Sequence, residues 1–146
     1  MAQDSEKRSI LVTSALPYAN ASLHLGHILE HTQTDIWVRF QRLYGNECIY
    51  VCADDAHGTP IMLKAEELSM SPEELIEMIH EKHKSTFEDF NISHDNYHTT
   101  HSEENKKYSE LIYNTALKNG FISKKNIKQL YDQEKKLVLA DRYVQG

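Results

Sequence analysis

The sequence predicts an α/β fold built on a parallel sheet. Two short apolar runs rich in β-branched residues, at 9–15 and 47–53, read as strands. Between them, residues 25–44 carry apolar residues at helical spacing. Strand, helix and strand then follow within about 45 residues, the length of a βαβ unit whose two strands run parallel.

The first strand and the first helix are joined by a loop. Pro17 ends the strand, and residues 16–22 form the loop. The helix is predicted over 25–44, with Gly45 as its C-terminal cap. Its apolar positions, which favour a helix with one packed face, are Ile28, Ile36, Trp37, Phe40 and Leu43.

The second strand contains the two cysteines of the chain, Cys48 and Cys52. Residues four apart on a strand are separated by roughly 13 Å. They are therefore too far apart to share a disulfide or a metal ion. We interpret both as buried free thiols, together with core or packing aromatics at Trp37, Tyr44, Phe87 and Phe90.

Further helices and strands continue the alternation. A helix ending at Leu68 follows a loop with Gly58 and Pro60. The run Ser71-Pro72-Glu73-Glu74 is a strong helix start and predicts a helix to about residue 87. A strand over 91–99, a helix over 102–119 and a hairpin pairing 127–131 with 137–143 are predicted after it.

Composition limits the class of protein. The chain has 146 residues, 40% of them hydrophobic, and a net charge of −6 from 16 basic and 22 acidic residues. This balance argues against a surface that grips a nucleic-acid backbone throughout. No apolar run is long enough for a signal peptide or a membrane helix, so we expect a cytoplasmic protein.

The loop and helix start at residues 15–27 carry the strongest functional signal. In an open α/β sheet, ligands bind where strands end, and a helix N-terminus offers free amide donors. His24 and His27 lie three apart, so both can face one anion, and Gly26 lets a flat ring or phosphate approach. Two alternatives remain: histidines that only cap the helix, and a zinc site built from His24, His27, His31 and Asp54 or Asp55.

A second candidate segment follows the second strand at residues 52–60. Asp54 and Asp55 lie at the same sheet edge as the first loop and suit a cation, either a substrate ammonium group or Mg²⁺. The alternative is a turn in which an aspartate caps the next helix.

Together these segments resemble the methionyl branch of the class I aminoacyl-tRNA synthetases. His24-Leu25-Gly26-His27 resembles the His-Ile-Gly-His signature of the class. The doubled aspartate followed by Ala-His-Gly-Thr-Pro, at 54–60, is typical of the methionyl branch. Residues 90–97 and 140–146 also match, so the resemblance covers 10–146.

The resemblance implies a fold and a reaction. The fold is a Rossmann-like parallel sheet with helices on both faces, incomplete here, with residues 1–120 as its first half and 121–146 as the start of an inserted connective domain. ATP with Mg²⁺ activates methionine to methionyl adenylate, and tRNA(Met) then receives the methionyl group. The implied ATP-binding residues are Pro17, His24, Gly26 and His27, with His24 and His27 catalytic. Leu16, Tyr18 and Asp55 are implied to bind methionine, Asp55 through its ammonium group.

Parts of the family pattern are absent from these 146 residues. They lack the Lys-Met-Ser-Lys-Ser signature, the zinc-binding cysteines of the connective domain, expected beyond Gly146, and the anticodon-binding helices. We therefore expect no metal site in this chain and no activity from it alone. Two other functions stay open: a stand-alone nucleotidyltransferase with a related loop, and a non-catalytic binding module.

Overall fold

The computed structural model describes residues 7–128, 130–133 and 137–139. The chain forms two compact units, Met1–His101 and Ser102–Gly146. The first contains three strands and three helices: β1 (Ser9–Val12), α1 (Leu25–Leu43), β2 (Glu47–Asp54), α2 (Thr59–Glu67), α3 (Pro72–Asp89) and β3 (Asn96–Thr99). None of the helices within the described ranges is long and apolar enough to cross a bilayer.

A three-stranded parallel sheet forms the centre of the first unit. Its order is β1-β2-β3, and the register pairs Ser9 with Glu47 and Val51 with Asn96. The α/β prediction and the parallel βαβ unit are confirmed.

Both outer strands are shorter than predicted, and side chains bind the backbone next to each of them. Beyond Val12, the Ala15 amide donates to the Glu30 carboxylate at 2.7 Å. Before Asn96, the Asp35 carboxylate accepts from the Ser93 amide at 2.8 Å. Residues 13–15 and 91–95 lie outside the strands.

One face of β2 is buried along its whole length. Cys48, Tyr50, Cys52 and Asp54 alternate along the strand and are all buried, as the period of two requires. Cys48 and Cys52 are free buried thiols, as predicted. Residues of α1 and of α3 both contact this face, through the hydrogen bonds described below.

Helix α1 packs through a different face from the one its apolar pattern predicts. Its buried residues are His31, Asp35 and Val38. The predicted apolar stripe is exposed, with Ile36, Phe40 and Leu43 all more than half accessible. Of the aromatics predicted as core or packing residues, Phe87 is buried, whereas Trp37, Tyr44 and Phe90 are exposed and lie outside the core. Tyr44 stacks on the ring of Phe40 at the surface.

A second core cluster holds α2 and α3 together. Ile61 and Ala65 of α2 pack with Leu75, Ile76 and Ile79 of α3. The predicted capping box begins α3: the Ser71 hydroxyl accepts from the Glu74 amide, and the Glu74 carboxylate accepts from the Ser71 amide at 2.8 Å. Ala19 and Ala56 join the same cluster and bring both candidate loops to it.

Among the described residues, the second unit contains α4 (Glu103–Lys118), β4 (Leu130–Asp132) and β5 (Leu137–Leu139). The two strands pair antiparallel, with Tyr131 opposite Val138, which confirms the pairing of the predicted hairpin. Its first strand begins at Leu130, so the predicted start at residue 127 was too early. The predicted continuation over 140–143 lies outside the described residues. The predicted domain boundary at 120 stays a prediction.

Candidate active site at the start of helix α1

The loop after β1 is fixed to the end of β2 by backbone hydrogen bonds. The Asp55 amide donates to the Pro17 carbonyl at 2.8 Å, and the Ala19 amide donates to the Asp55 carbonyl at 2.9 Å. Tyr18 and Asp55 thus form a short parallel bridge. Four of the predicted site residues, Leu16, Pro17, Tyr18 and Asp55, are brought to one place by this pair of bonds.

The side chains on this bridge have distinct environments. Pro17 is fully buried, whereas Leu16 and Asp55 are exposed. The Tyr18 hydroxyl donates to the His57 carbonyl at 2.9 Å, which fixes the ring across the next loop. The apolar side chain of Leu16 and the carboxylate of Asp55 are therefore both presented at the surface of the bridge.

Gly58 closes the far side of this loop in a conformation that favours glycine. Its φ is +119°, and a Cβ there would lie 2.9 Å from the Tyr18 hydroxyl oxygen. A larger residue would combine backbone strain with displacement of Tyr18.

His24 and His27 form a capping box made of two imidazoles. His24 Nδ1 accepts from the Gly26 amide at 3.1 Å, and His27 Nδ1 accepts from the His24 amide at 3.3 Å. The rings stack with centroids 3.7 Å apart and planes inclined by 16°. The ring of His24 also occupies the space next to Gly26, where a Cβ would lie 2.9 Å from His24 Cε1.

This capping arrangement sets the tautomer of both rings. A neutral imidazole that accepts through Nδ1 carries its proton on Nε2. Burial, followed by the nearby His24, lowers the pKa of His27, which favours the neutral form. Within the described residues neither Nε2 has a hydrogen-bond partner, so two stacked N–H donors stand at the N-terminus of α1. The capping alternative and the ligand-binding interpretation are therefore compatible.

Asp54 and Asp55 have different environments although they are adjacent. Asp54 is fully buried and accepts three hydrogen bonds at 2.6 Å, from His80, His83 and Tyr97. Burial alone would raise the pKa of Asp54, but these donors hold it below its ordinary value. The two carboxylates are thus not a joint cation site, and Asp55 is the one exposed.

His83 connects this buried carboxylate to the loop that precedes α1. Its Nδ1 lies 2.6 Å from Asp54 Oδ1, and its Nε2 lies 2.7 Å from the Ala21 carbonyl oxygen. Both partners are acceptors, so the ring satisfies both when each nitrogen carries a proton. We call these residues, Asp54, His80, His83 and Tyr97, the aspartate clamp.

The sequence interpretation missed the aspartate clamp. Its signal is present: His80 and His83 are three apart on a helix, the spacing that drew attention to His24 and His27. Nothing in the spacing shows that their shared partner is a carboxylate on β2.

The alternative zinc set from α1 is not assembled. Asp54 contacts His80 and His83, and His31 turns away to lie beside Ser14 and His94. Among the described residues, the group close enough to hold a metal ion is His31, Cys52 and His94.

Comparison with known proteins identifies the family of this chain and supports its fold. A protein-family model matches residues 10–146, almost the whole sequence, so the chain belongs to the class I tRNA synthetases. The description of that model is "tRNA synthetases class I (M)".

A solved structure supports the fold independently. The chain is similar to the leucyl-tRNA synthetase AgnB2 of Agrobacterium radiobacter K84, which was crystallised as a ternary complex with tRNA and LeuAMS. The TM-score is 0.80 at 18% identity, over 94% of this chain. The match spans 18% of that synthetase, and at this identity it shows a common fold.

Proposed function

We propose that this chain supplies part of the ATP- and methionine-binding site of a cytoplasmic methionine–tRNA ligase. The enzyme activates methionine with ATP and Mg²⁺ and transfers it to tRNA(Met). The observation that carries the proposal is the stacked pair His24 and His27, whose Nε2 atoms are available as donors at a helix N-terminus. The matched family model and the motif at 54–60 support the choice of methionine.

In the first step, a methionine carboxylate oxygen attacks the α-phosphorus of ATP, and the bond to the bridging oxygen breaks to release pyrophosphate. Negative charge builds up on the phosphate oxygens during this transfer. The two Nε2–H donors and the amide groups of the α1 N-terminus stabilise that charge. Pro17 and Gly26 shape the backbone around the nucleotide.

Asp55 is the residue proposed to bind the ammonium group of methionine. Its neighbour Asp54 has three donors already, whereas Asp55 is exposed next to Tyr18. A carboxylate beside an ammonium group aligns the amino acid with its carboxylate toward the phosphates. Leu16 and Tyr18 supply the apolar contacts that a thioether side chain needs, because sulfur is only a weak acceptor.

Mg²⁺ accompanies the ATP phosphates in this proposal. With Asp54 saturated by its donors, the carboxylate pair does not offer a joint site for the ion. We therefore assign no residue of this chain as a Mg²⁺ ligand and expect the triphosphate to supply its ligands.

The test is amino-acid-dependent ATP–pyrophosphate exchange by the full-length protein. We expect exchange with methionine, and an Asp55→Ala variant with a KM for methionine raised far more than its KM for ATP. Asp89→Ala, an exposed carboxylate at the end of α3, is the matched control and should leave both unchanged. Exchange with leucine in place of methionine would refute the substrate, and equal loss of both affinities would refute the role of Asp55.

The histidine pair has its own test. His27→Ala removes one transition-state donor and should lower the rate of adenylate formation by about 10²- to 10³-fold. His101→Ala, an exposed histidine, is the control. A near-normal rate in the His27 variant would refute the role of the pair.

A further inference from the structure

Three potential metal ligands meet on the buried face of β2, away from the histidine pair. His31 comes from α1, Cys52 from β2, and His94 from the segment before β3. One ligand atom of each lies within 4.8 Å of the other two, and His31 Nδ1 is 3.3 Å from His94 Nε2. His31 and Cys52 are buried, and His94 is partly buried.

We propose that His31, Cys52 and His94 form a binding site for a single Zn²⁺-like cation. Two imidazoles and a thiolate are ligands that zinc and similar ions prefer. Zinc bonds of about 2.0–2.3 Å in a tetrahedron place ligand atoms roughly 3.3–3.6 Å apart. The two histidine nitrogens are already at that separation, and the other distances, all within 4.8 Å, would shorten on binding. Three protein ligands leave the fourth position for water, as in open zinc sites.

The surroundings already hold two of the ligands in the required state. Burial lowers the pKa of His31, and burial together with His31 lowers that of His94 to about 4. Both rings are then neutral near pH 7 and have a lone pair to offer. The ion would have to displace the proton of the Cys52 thiol, whose pKa is raised by burial.

Outer hydrogen bonds are in place around the three ligands. The Ser14 hydroxyl lies 3.5 Å from Cys52 Sγ and 3.4 Å from His31 Nε2, the ring nitrogen that stays free when Nδ1 binds the ion. The Tyr50 hydroxyl lies 2.9 Å from Ser14 and holds that hydroxyl in place. Such partners orient metal ligands and stabilise a thiolate. They also satisfy the three side chains when no ion is bound. The contacts of Ser14 and Tyr50 with His31 Nδ1, at 3.2 and 3.3 Å, would be replaced by the ion.

One of the three ligands is accessible from the protein surface. His94 lies in the wall of an open cavity of about 290 Å³, together with Phe87 and Tyr97. A hydrated ion can therefore reach His94, whereas His31 and Cys52 are buried and do not line this cavity. Once bound, the ion would cross-link α1, β2 and the segment before β3, one helical turn beyond His27.

Cobalt(II) titration of the metal-free, full-length protein tests the proposal. Co²⁺ replaces zinc and gives a thiolate-to-cobalt absorption band when a cysteine is a ligand. We compare the number of cobalt ions bound per chain and their affinity in wild type, Cys52→Ser and His94→Gln. Ions bound at other sites are common to all three proteins and cancel in the comparison. We expect Cys52→Ser to bind one cobalt ion fewer per chain than wild type. We expect His94→Gln to bind cobalt more than about 100-fold more weakly, which exceeds the usual loss on removal of an outer-shell partner.

Matched controls separate ligation from folding. Cys48→Ser removes the other buried thiol of β2, and His101→Gln removes an exposed histidine; both should keep the ion. Near-ultraviolet circular dichroism confirms that each variant is folded. If Cys52→Ser does not fold, the half-buried His94→Gln variant decides alone. An unchanged cobalt count and affinity in His94→Gln would overturn the site and leave a polar cluster held by hydrogen bonds.

Discussion

The aspartate clamp makes a quantitative prediction about the loop that precedes α1. The perturbation is His83→Asn. The asparagine side-chain amide can donate to Asp54 in place of His83 Nδ1, but it is too short to reach the Ala21 carbonyl. The lost hydrogen bond is worth about 0.5–1.5 kcal/mol, and the exchange of the 2.6 Å bond from His83 to the buried Asp54 carboxylate for a weaker amide bond adds to it. We therefore expect the docking of the loop to weaken by about 2 kcal/mol.

Hydrogen exchange in the full-length protein measures this directly. A loss of about 2 kcal/mol corresponds to roughly 30-fold faster local opening. The amides to follow are those of Ala19 and Asp55, which pair the loop with the end of β2. Adenylate formation should slow as well, because Ala21 lies three residues before His24.

The matched control is His80→Ala, which also removes one donor from Asp54 but leaves the bond to Ala21 intact. It should change hydrogen exchange in the loop by less than about 3-fold. Asp54 still accepts from His83 and Tyr97, so His83 keeps its position next to Ala21. Equal acceleration in the two variants would show that the charge balance of Asp54, and not the bond to Ala21, holds the loop. No acceleration in His83→Asn would refute the reasoning altogether.

Three further predictions concern other positions. Gly58→Ala places a Cβ against the Tyr18 hydroxyl at positive φ, so it should lower stability by about 1–3 kcal/mol in thermal unfolding and raise the KM for methionine. Burial would raise the pKa of Asp35, but hydrogen bonds from Ser93 and Arg39 outweigh burial and lower this pKa. The ionised Asp35 carboxylate therefore stabilises the fold above about pH 4, and this stabilisation is lost as the pH falls. Asp35→Asn should therefore flatten the acid limb of an unfolding curve measured against pH, and an unchanged limb would contradict this. Ser71→Ala should cost about 1 kcal/mol in thermal unfolding through the lost cap of α3 and leave KM values unchanged.

Local signals in the sequence predicted the elements well. Strands, helix caps and the alternation of strands and helices depend on residues close together in the sequence. The capping box at Ser71, for example, was confirmed with both of its hydrogen bonds. The motif loop was also correctly placed at the end of β1, because Pro17 and the helix start at His24 are local features.

The packing of α1 was not predictable in the same way. Periodicity shows that a helix has two faces, but not which one contacts a given sheet. Here His31 and Asp35 are buried because Ser14, Tyr50 and Ser93 supply their hydrogen bonds from distant positions. The apolar positions therefore indicated the wrong face, because polar residues form the contact.

The different environments of Asp54 and Asp55 follow from a rule that was available. Side chains alternate along a strand, so Asp54 shares the face of Cys48, Tyr50 and Cys52, all of them buried. What the rule does not supply is the identity of the donors, which come from α3 and β3.

The sequence distance spanned by the aspartate clamp has a consequence for synthesis on the ribosome. Asp54 is made about 43 residues before Tyr97, the last donor of the clamp. At about 5–20 residues per second, this leaves the carboxylate without its full set of partners for roughly two to nine seconds. In the first part of that interval, until His83 is made 29 residues after Asp54, β1 and β2 can pair but the loop bearing His24 has no anchor at Ala21. The ligand site is thus completed by the translation of α3 and β3, well after its own motif has been made.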